Sequence, residues 1–132
     1  MEDKINNLDQ LCAKYGYRFA EEVSRAKDFN AKKAEVLVTK ALSVLQEQGL
    51  YAFAIFCKSR PSGERAGAEE IETLAKELLK ELNLIDDGDF LDELRKEGGL
   101  LTKLGDLMFA IQVLEKSLIY ARFHAKAMKE EG

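Results

Sequence analysis

The side chains able to move protons or electron pairs are few: one histidine, His124, and two cysteines, Cys12 and Cys57. A single imidazole excludes both a two-histidine metal motif and a histidine pair for RNA cleavage. Only Phe123 separates Arg122 from His124, whereas the arginine-then-histidine motif of many helical ribonucleases has several residues between the two. His124 reads as a surface or boundary residue of the last helix. The cysteines form no nucleophile–base–orienter set with it, and at 45 positions apart they are no zinc pair. The stretch GERAG, 63–67, has three residues between its glycines and is followed by Ala-Glu. A phosphate-cradling P-loop has four, then Lys-Ser/Thr. In IDDGDFLDE, placing Gly88 at the sixth position of a calcium loop would put Ile85 third and Leu94 twelfth. Neither has a side-chain oxygen, so these acids read as helix caps. No catalytic residue, metal or cofactor is expected.

Positive charge remains. Lys14, Arg18 and Arg25 fall at steps of 4 and 7, one stripe of a helix; Lys32, Lys33 and Lys40 open the next helix; Lys58, Arg60 and Arg65 follow an apolar run; Lys116, Arg122 and Lys126 lie near the C-terminus. A groove that tracks a phosphate backbone needs positive charge and little sequence specificity, and Tyr15, Tyr17, Tyr51 and Tyr120 are available to stack on bases. The competing reading is a solvated helix surface laced with i, i+4 pairs such as Arg18 with Glu22. The formal net charge of −4 is unevenly spread: residues 1–68 carry +2, 69–97 carry −7 and 98–132 carry +1. Acidity is confined to one middle segment, which leaves the two ends free to present a basic face.

Elements that position these groups follow from apolar spacing. The 132 residues, 46% hydrophobic and 33% charged, suit one globular domain with its own core. Ile5, Leu8, Cys12, Tyr15, Phe19, Val23 and Ala26 define one face of a helix over 3–28, with Gly16 inside it suggesting a close backbone approach. Asp28 or Asn30 caps a second helix over 31–47, stopped by Gly49. The run from Leu50 to Cys57 is apolar without interruption; with no partner strand in the chain, it reads as a short core helix, buried almost all round. Residues 58–67 read as a loop, 68–83 as an amphipathic helix, and Phe90, Leu91 and Leu94 as the anchors of a short helix ending at Gly98–Gly99. A heptad-like seam from Leu100 to Met128 marks a long last helix. The expected fold is therefore all-α: a single-domain bundle of about six helices over 1–132, long first and last helices bracketing shorter ones. No apolar run reaches bilayer length, the N-terminus lacks the apolar core of a secretory signal, and two thiols among apolar residues suggest a cytoplasmic setting.

The order of elements, together with three blocks, carries a resemblance. The first helix contains LDQLCAKYGYRFAEEV, the second leads through LSVLQEQGLYAFAIFCKSR, and the last reads LMFAIQVLEKSLIYARFHAKAM. This resembles the small helical subunit of type III-B CRISPR–Cas effector complexes, the Cmr complexes. Gly49, Leu50, Ala52, Phe53 and Lys58 match the family's Gly-Leu-opened apolar helix, and Leu114, Leu118, Arg122 and Ala125 its closing helix. Members often carry Trp in that last helix; here Ile119 or Tyr120 stands in its place. The resemblance implies a non-enzymatic subunit acting in antiviral defence, copies of which stack into a filament beside the crRNA-binding backbone subunit and line the channel holding target RNA against crRNA. On that view the acidic segment 69–97 faces protein and the basic ends face RNA. A small subunit of a related type III-A or type I complex and a helical adaptor that binds only protein are the alternatives.

Overall fold

A computed structural model describes residues 7–131, and every regular element among them is helical. Six α-helices follow in order: α1 Leu8–Ser24, α2 Ala31–Gln48, α3 Leu50–Lys58, α4 Ser62–Glu81, α5 Phe90–Arg95 and α6 Leu104–Glu131, with a 3-10 turn at Leu100–Thr102 before the last. The expected all-α fold is observed; the expected contribution of Ile5 lies outside the described residues. The bracketing pattern holds only at one end. α6, with 28 residues, is the longest helix at about 42 Å, whereas α2 and α4, with 18 and 20 residues, match or exceed α1 with 17.

α1 and α6 run parallel. Asp9 meets Lys116 and Tyr120, Gly16 meets Ser117 and Tyr120, and Tyr17 meets His124, so both chains advance together along the contact. Gly16 makes this possible: a Cβ there would lie 2.5 Å from the Tyr120 Cβ and 3.0 Å from the Ser117 carbonyl oxygen. At the same contact the buried Ser117 hydroxyl donates to the Val113 carbonyl at 2.9 Å, and the Cys12 thiol points at that oxygen from 3.6 Å. α4 runs antiparallel to α1, pairing Glu81 with Tyr15, Glu77 with Arg18 and Gly67 with Phe29. The N-terminal part of α2 meets the C-terminal part of α6 through Glu35 and Lys129. One end of the bundle therefore collects the C-terminal ends of α1 and α6 and the N-terminal ends of α2 and α4.

The core joins Tyr15 and Phe19 of α1, Leu37 and Leu45 of α2, Phe53 of α3, Ile71, Leu74 and Leu78 of α4, Phe90 and Leu94 of α5, and Leu114 and Leu118 of α6. Asn30 caps α2, its side chain accepting from the Lys33 amide at 2.9 Å, while Asp28 takes the left-handed turn with φ 65°. Gly49, at φ 93° and ψ −176°, joins α2 to α3 in a conformation closed to side-chain-bearing residues.

Three expectations need correction. Residues 62–67 are not loop: they form the first turns of α4, with Pro61 preceding them. Gly67 acts there as a packing residue, its bare Cα set against the Phe29 ring. The run Leu50–Cys57 is helical as expected, but only one face is buried. Leu50, Phe53, Ala54 and Cys57 enter the core, Ile55 is 45% exposed, and Tyr51 and Phe56 lie at the boundary under Arg95 and Arg60. α3 sits at the edge of the bundle, with its second face shielded by long cationic side chains. α6 starts at Leu104 and not at Leu100, because Gly98 (φ 75°) and the 3-10 turn redirect the chain first. Of the acids expected to be helix caps, Asp89 is one, its carboxylate accepting from the Asp92 amide (3.2 Å); Glu93 instead accepts from the Asp86 amide in the preceding turn (2.8 Å), and Asp87 and Asp92 pair with Lys80 and Arg95. Among the described residues no helix is long and apolar enough to cross a membrane.

Candidate nucleic-acid interface

Folding divides the twelve expected cations into two sets. Seven already have partners. Arg18 spans α1 and α4, its Nε 3.1 Å from Glu22 and its Nη1 2.5 Å from Glu77, with the guanidinium 5.2 Å above the Tyr15 ring. Arg25 pairs with Glu21 at 2.7 Å. Lys40 (2.9 Å) and Arg60 (3.2 Å) share Glu64 and tie α2 and the α3–α4 corner together. Lys58 reaches Glu72 at 2.7 Å and Asp89 at 3.6 Å. Lys116 pairs with Asp9 at 2.7 Å. Lys33 donates to the carbonyls of Asp28 (2.7 Å) and Gly63 (3.2 Å) and lies over the Phe29 ring.

The proton affinities follow these contacts. The Lys116 and Tyr120 hydrogen bonds hold Asp9 below the usual carboxylate range. Lys40 holds Glu64 down in the same way, and the hydrogen bond to Glu72 raises Lys58. Exposed pairs of this kind stabilise the fold little, yet each must be traded for a phosphate before its cation can serve RNA. The stripe expected from Lys14, Arg18 and Arg25 is thus broken by acids of its own and the neighbouring helix. The acidic segment 69–97 turns out to supply partners within the chain, Glu72, Glu77 and Asp89 among them.

Five of the expected cations, Lys14, Lys32, Arg65, Arg122 and Lys126, have no ion-pair partner among the described residues. Lys14 stands apart, beside a groove with Leu8, Leu11 and Glu81. The other four belong to segments at the end of the bundle where α2 and α4 begin and α6 finishes, on three different helices. Lys32 opens α2, Arg65 lies in the first turns of α4, and Arg122 and Lys126 lie in the last turns of α6; the Lys129 hydrogen bond holds Glu35 of α2 below the usual carboxylate range, and Lys126 and Arg122 lie close enough to add to it. The exposed N-terminal amides of α2 and α4 add their positive dipole ends at the same place.

Two groups were not among the expected ones. Lys27 lines a shallow groove with Asp28, Ser62, Gly63, Arg65 and Glu69; its signal was a second cation in the turn after α1. Phe123 is 60% exposed on α6, with the Arg122 guanidinium 5.6 Å from its ring centre. It falls off the seam Leu118–Ala121–Ala125, and an aromatic residue off the seam was the available sign. Of the four tyrosines, Tyr15 is buried and donates to Glu81 at 2.7 Å, Tyr51 accepts from Arg95, and Tyr120 donates to Asp9 at 2.6 Å. Tyr17 alone has a largely exposed ring, set edge-on to His124 with ring centres 5.7 Å apart. Both cysteines are free and buried, and burial pushes the Cys57 thiol far above its ordinary range.

Comparison with protein-family models, with curated proteins and with solved structures gives no match.

Proposed function

We propose that the chain is a non-catalytic, RNA-binding helical subunit of a larger ribonucleoprotein assembly, and specifically a small subunit of the type III-B CRISPR effector kind that the sequence resembles. One observation carries the RNA-binding part: Lys32, Arg65, Arg122 and Lys126, on helix segments that share one end of the bundle with the N-termini of α2 and α4, have no ion-pair partner among the described residues. Phosphates reaching these four cations would displace no ion pair of theirs found among the described residues. The choice of assembly rests on the resemblance of the three sequence blocks. In that reading, the partners are the crRNA-binding backbone subunit, further copies of the same chain, crRNA and target RNA, in the cytoplasm. A place in an assembly is also supported at the opposite end, where Leu101, Leu104 and Met108 expose an apolar surface of the kind that partners cover.

The test is binding of a labelled single-stranded RNA by the full chain, alone and with the backbone subunit, at about 50 and 200 mM salt. Each phosphate contact adds roughly 0.7 to the slope of log affinity against log salt. Replacing Lys32, Arg65, Arg122 and Lys126 by Gln is expected to flatten that slope. Arg18→Gln, which removes a cation held by two carboxylates, is expected to leave it unchanged. Tight association with the backbone subunit but no RNA binding in any state would sink the proposal in favour of a protein-only adaptor.

A further inference from the structure

We infer that the face shared by α1 and the C-terminal half of α6 is a base-stacking platform for single-stranded RNA, with Phe123 and the Tyr17–His124 ring pair receiving the bases. This rests on the RNA-binding reading and adds a second mode of contact to it. Successive outward residues of α6 include Lys116, Tyr120, Phe123 and Lys126, at steps of 4, 3 and 3, and Tyr17 of α1 joins them through His124. Phe123 and Tyr17 are 60% and 51% exposed. The Phe123 ring is open to water and precedes His124, the ring that meets Tyr17; its flat face suits another flat ring.

Charge selects the occupant. Of the acids around the platform, Asp9 is engaged by Lys116 and Tyr120, Glu21 by Arg25 and Glu35 by Lys129, while Glu130 lies one turn beyond Lys126. Arg122 and Lys126, before and after Phe123 in the chain, have no ion-pair partner among the described residues. An apolar partner surface would leave those two cations unpaired. A nucleic acid satisfies both features at once, its bases on the rings and its phosphates on the flanking cations. From Lys116 to Lys126 the helix rises about 15 Å, room for a few nucleotides. No hydrogen-bonding edge faces outward from Phe123, so the platform takes any base sequence.

The experiment compares two labelled probes on the full chain: a twelve-nucleotide single-stranded RNA, and an oligomer of the same backbone without bases. Phe123→Ala is expected to weaken the RNA about 10-fold and to leave the abasic oligomer unchanged, with Phe123→Tyr restoring binding. Tyr17→Leu is expected to act in the same direction. Arg122→Gln and Lys126→Gln are expected to weaken both probes alike. Because Phe123 is exposed, its variants are expected to keep the wild-type helical circular dichroism. If Phe123→Ala leaves RNA affinity intact, or weakens both probes equally, stacking is overturned while the phosphate-binding reading stands. If the wild type binds neither probe, with or without the backbone subunit, both readings fall together. If Phe123→Ala abolishes binding to phosphatidylserine vesicles with RNA affinity unchanged, the platform belongs to a membrane surface and the inference is wrong.

Discussion

Phe53 and Ile55 lie two residues apart in the same apolar run, yet the bundle uses them differently. Phe53 is fully buried among α2, α4 and α5 side chains, whereas Ile55 is 45% exposed. Truncating Phe53 to Ala removes a large ring from a closed site and leaves a cavity, so a loss of about 3–5 kcal/mol is expected. Ile55→Ala is expected to cost only about 1 kcal/mol, since nearly half of its surface stays in water on folding. Urea unfolding followed by circular dichroism measures both; equal losses would mean that α3 is buried all round after all. The helical spacing of Leu50, Phe53, Ala54 and Cys57 was enough to name the buried face. That the second face is covered by cationic side chains and not by the core was not legible, because it depends on Arg60 over Phe56 and Arg95 on Tyr51, contacts made by residues distant in the chain or in the following turn. The same limit explains the cations. Lysines and arginines were easy to find, but Glu77 against Arg18 and Asp9 against Lys116 are pairings across helices that spacing along one helix does not reveal.

Helices were legible wherever apolar residues repeat at steps of three and four, which is why α2 carries its buried residues as expected and α1 most of them; in α6 the seam is buried at Leu114, Leu118, Ala121 and Ala125, whereas Leu104 is 72% exposed and Ala110 and Val113, off the expected seam, are buried. Glycines were harder, because the same residue type breaks, turns or packs. Gly49 turns the chain, Gly67 packs on Phe29, and Gly16 sets the distance between α1 and α6. The last is open to test. Gly16→Ala gains about 1 kcal/mol of helix propensity, but the new methyl would lie 2.5 Å from the Tyr120 Cβ and 3.0 Å from the Ser117 carbonyl. Both are attached to the rigid part of α6, so relief requires the two helices to separate. Overpacking of this kind costs about 1–3 kcal/mol or more, and net destabilisation is expected. It should also lengthen the bonds of Asp9 to Lys116 and Tyr120, which span the same contact. A variant as stable as the wild type would show that α1 and α6 are not packed this closely.

Across the whole molecule, folding engages part of the charge asymmetry of the sequence. Within residues 69–97, Lys80, Arg95 and Lys96 pair with acids of the same segment, and Arg18 and Lys58 reach Glu77, Glu72 and Asp89 from outside it. That compensation has a pH signature. Asp9, Glu35, Glu64 and Asp87 are held below their ordinary pKa first by lysine hydrogen bonds, and Asp89 and Glu93 first by backbone amides. Near pH 4 the unfolded chain therefore binds more protons at these six groups than the folded one, so stability rises with pH through that range. Their contribution is complete above the unfolded carboxylate values of about 4 and is lost as pH falls through the folded ones. Glu70 has the opposite sign: burial and then the nearby Glu22 raise it, so its contribution is present at low pH and is lost as pH rises through its folded value. Six depressed groups outweigh one raised group. The urea midpoint is expected to be level from pH 7 to about 5.5 and to fall between about pH 4.5 and 2, less steeply at high salt because most of these pairs are exposed. Glu70→Gln is expected to raise the neutral-pH midpoint and leave the acid limb in place. A midpoint at pH 3 equal to that at pH 7 would mean that the cross-helix pairs do not persist in solution, and the division between engaged and free cations, on which the choice of RNA-contacting residues depends, would have to be redrawn.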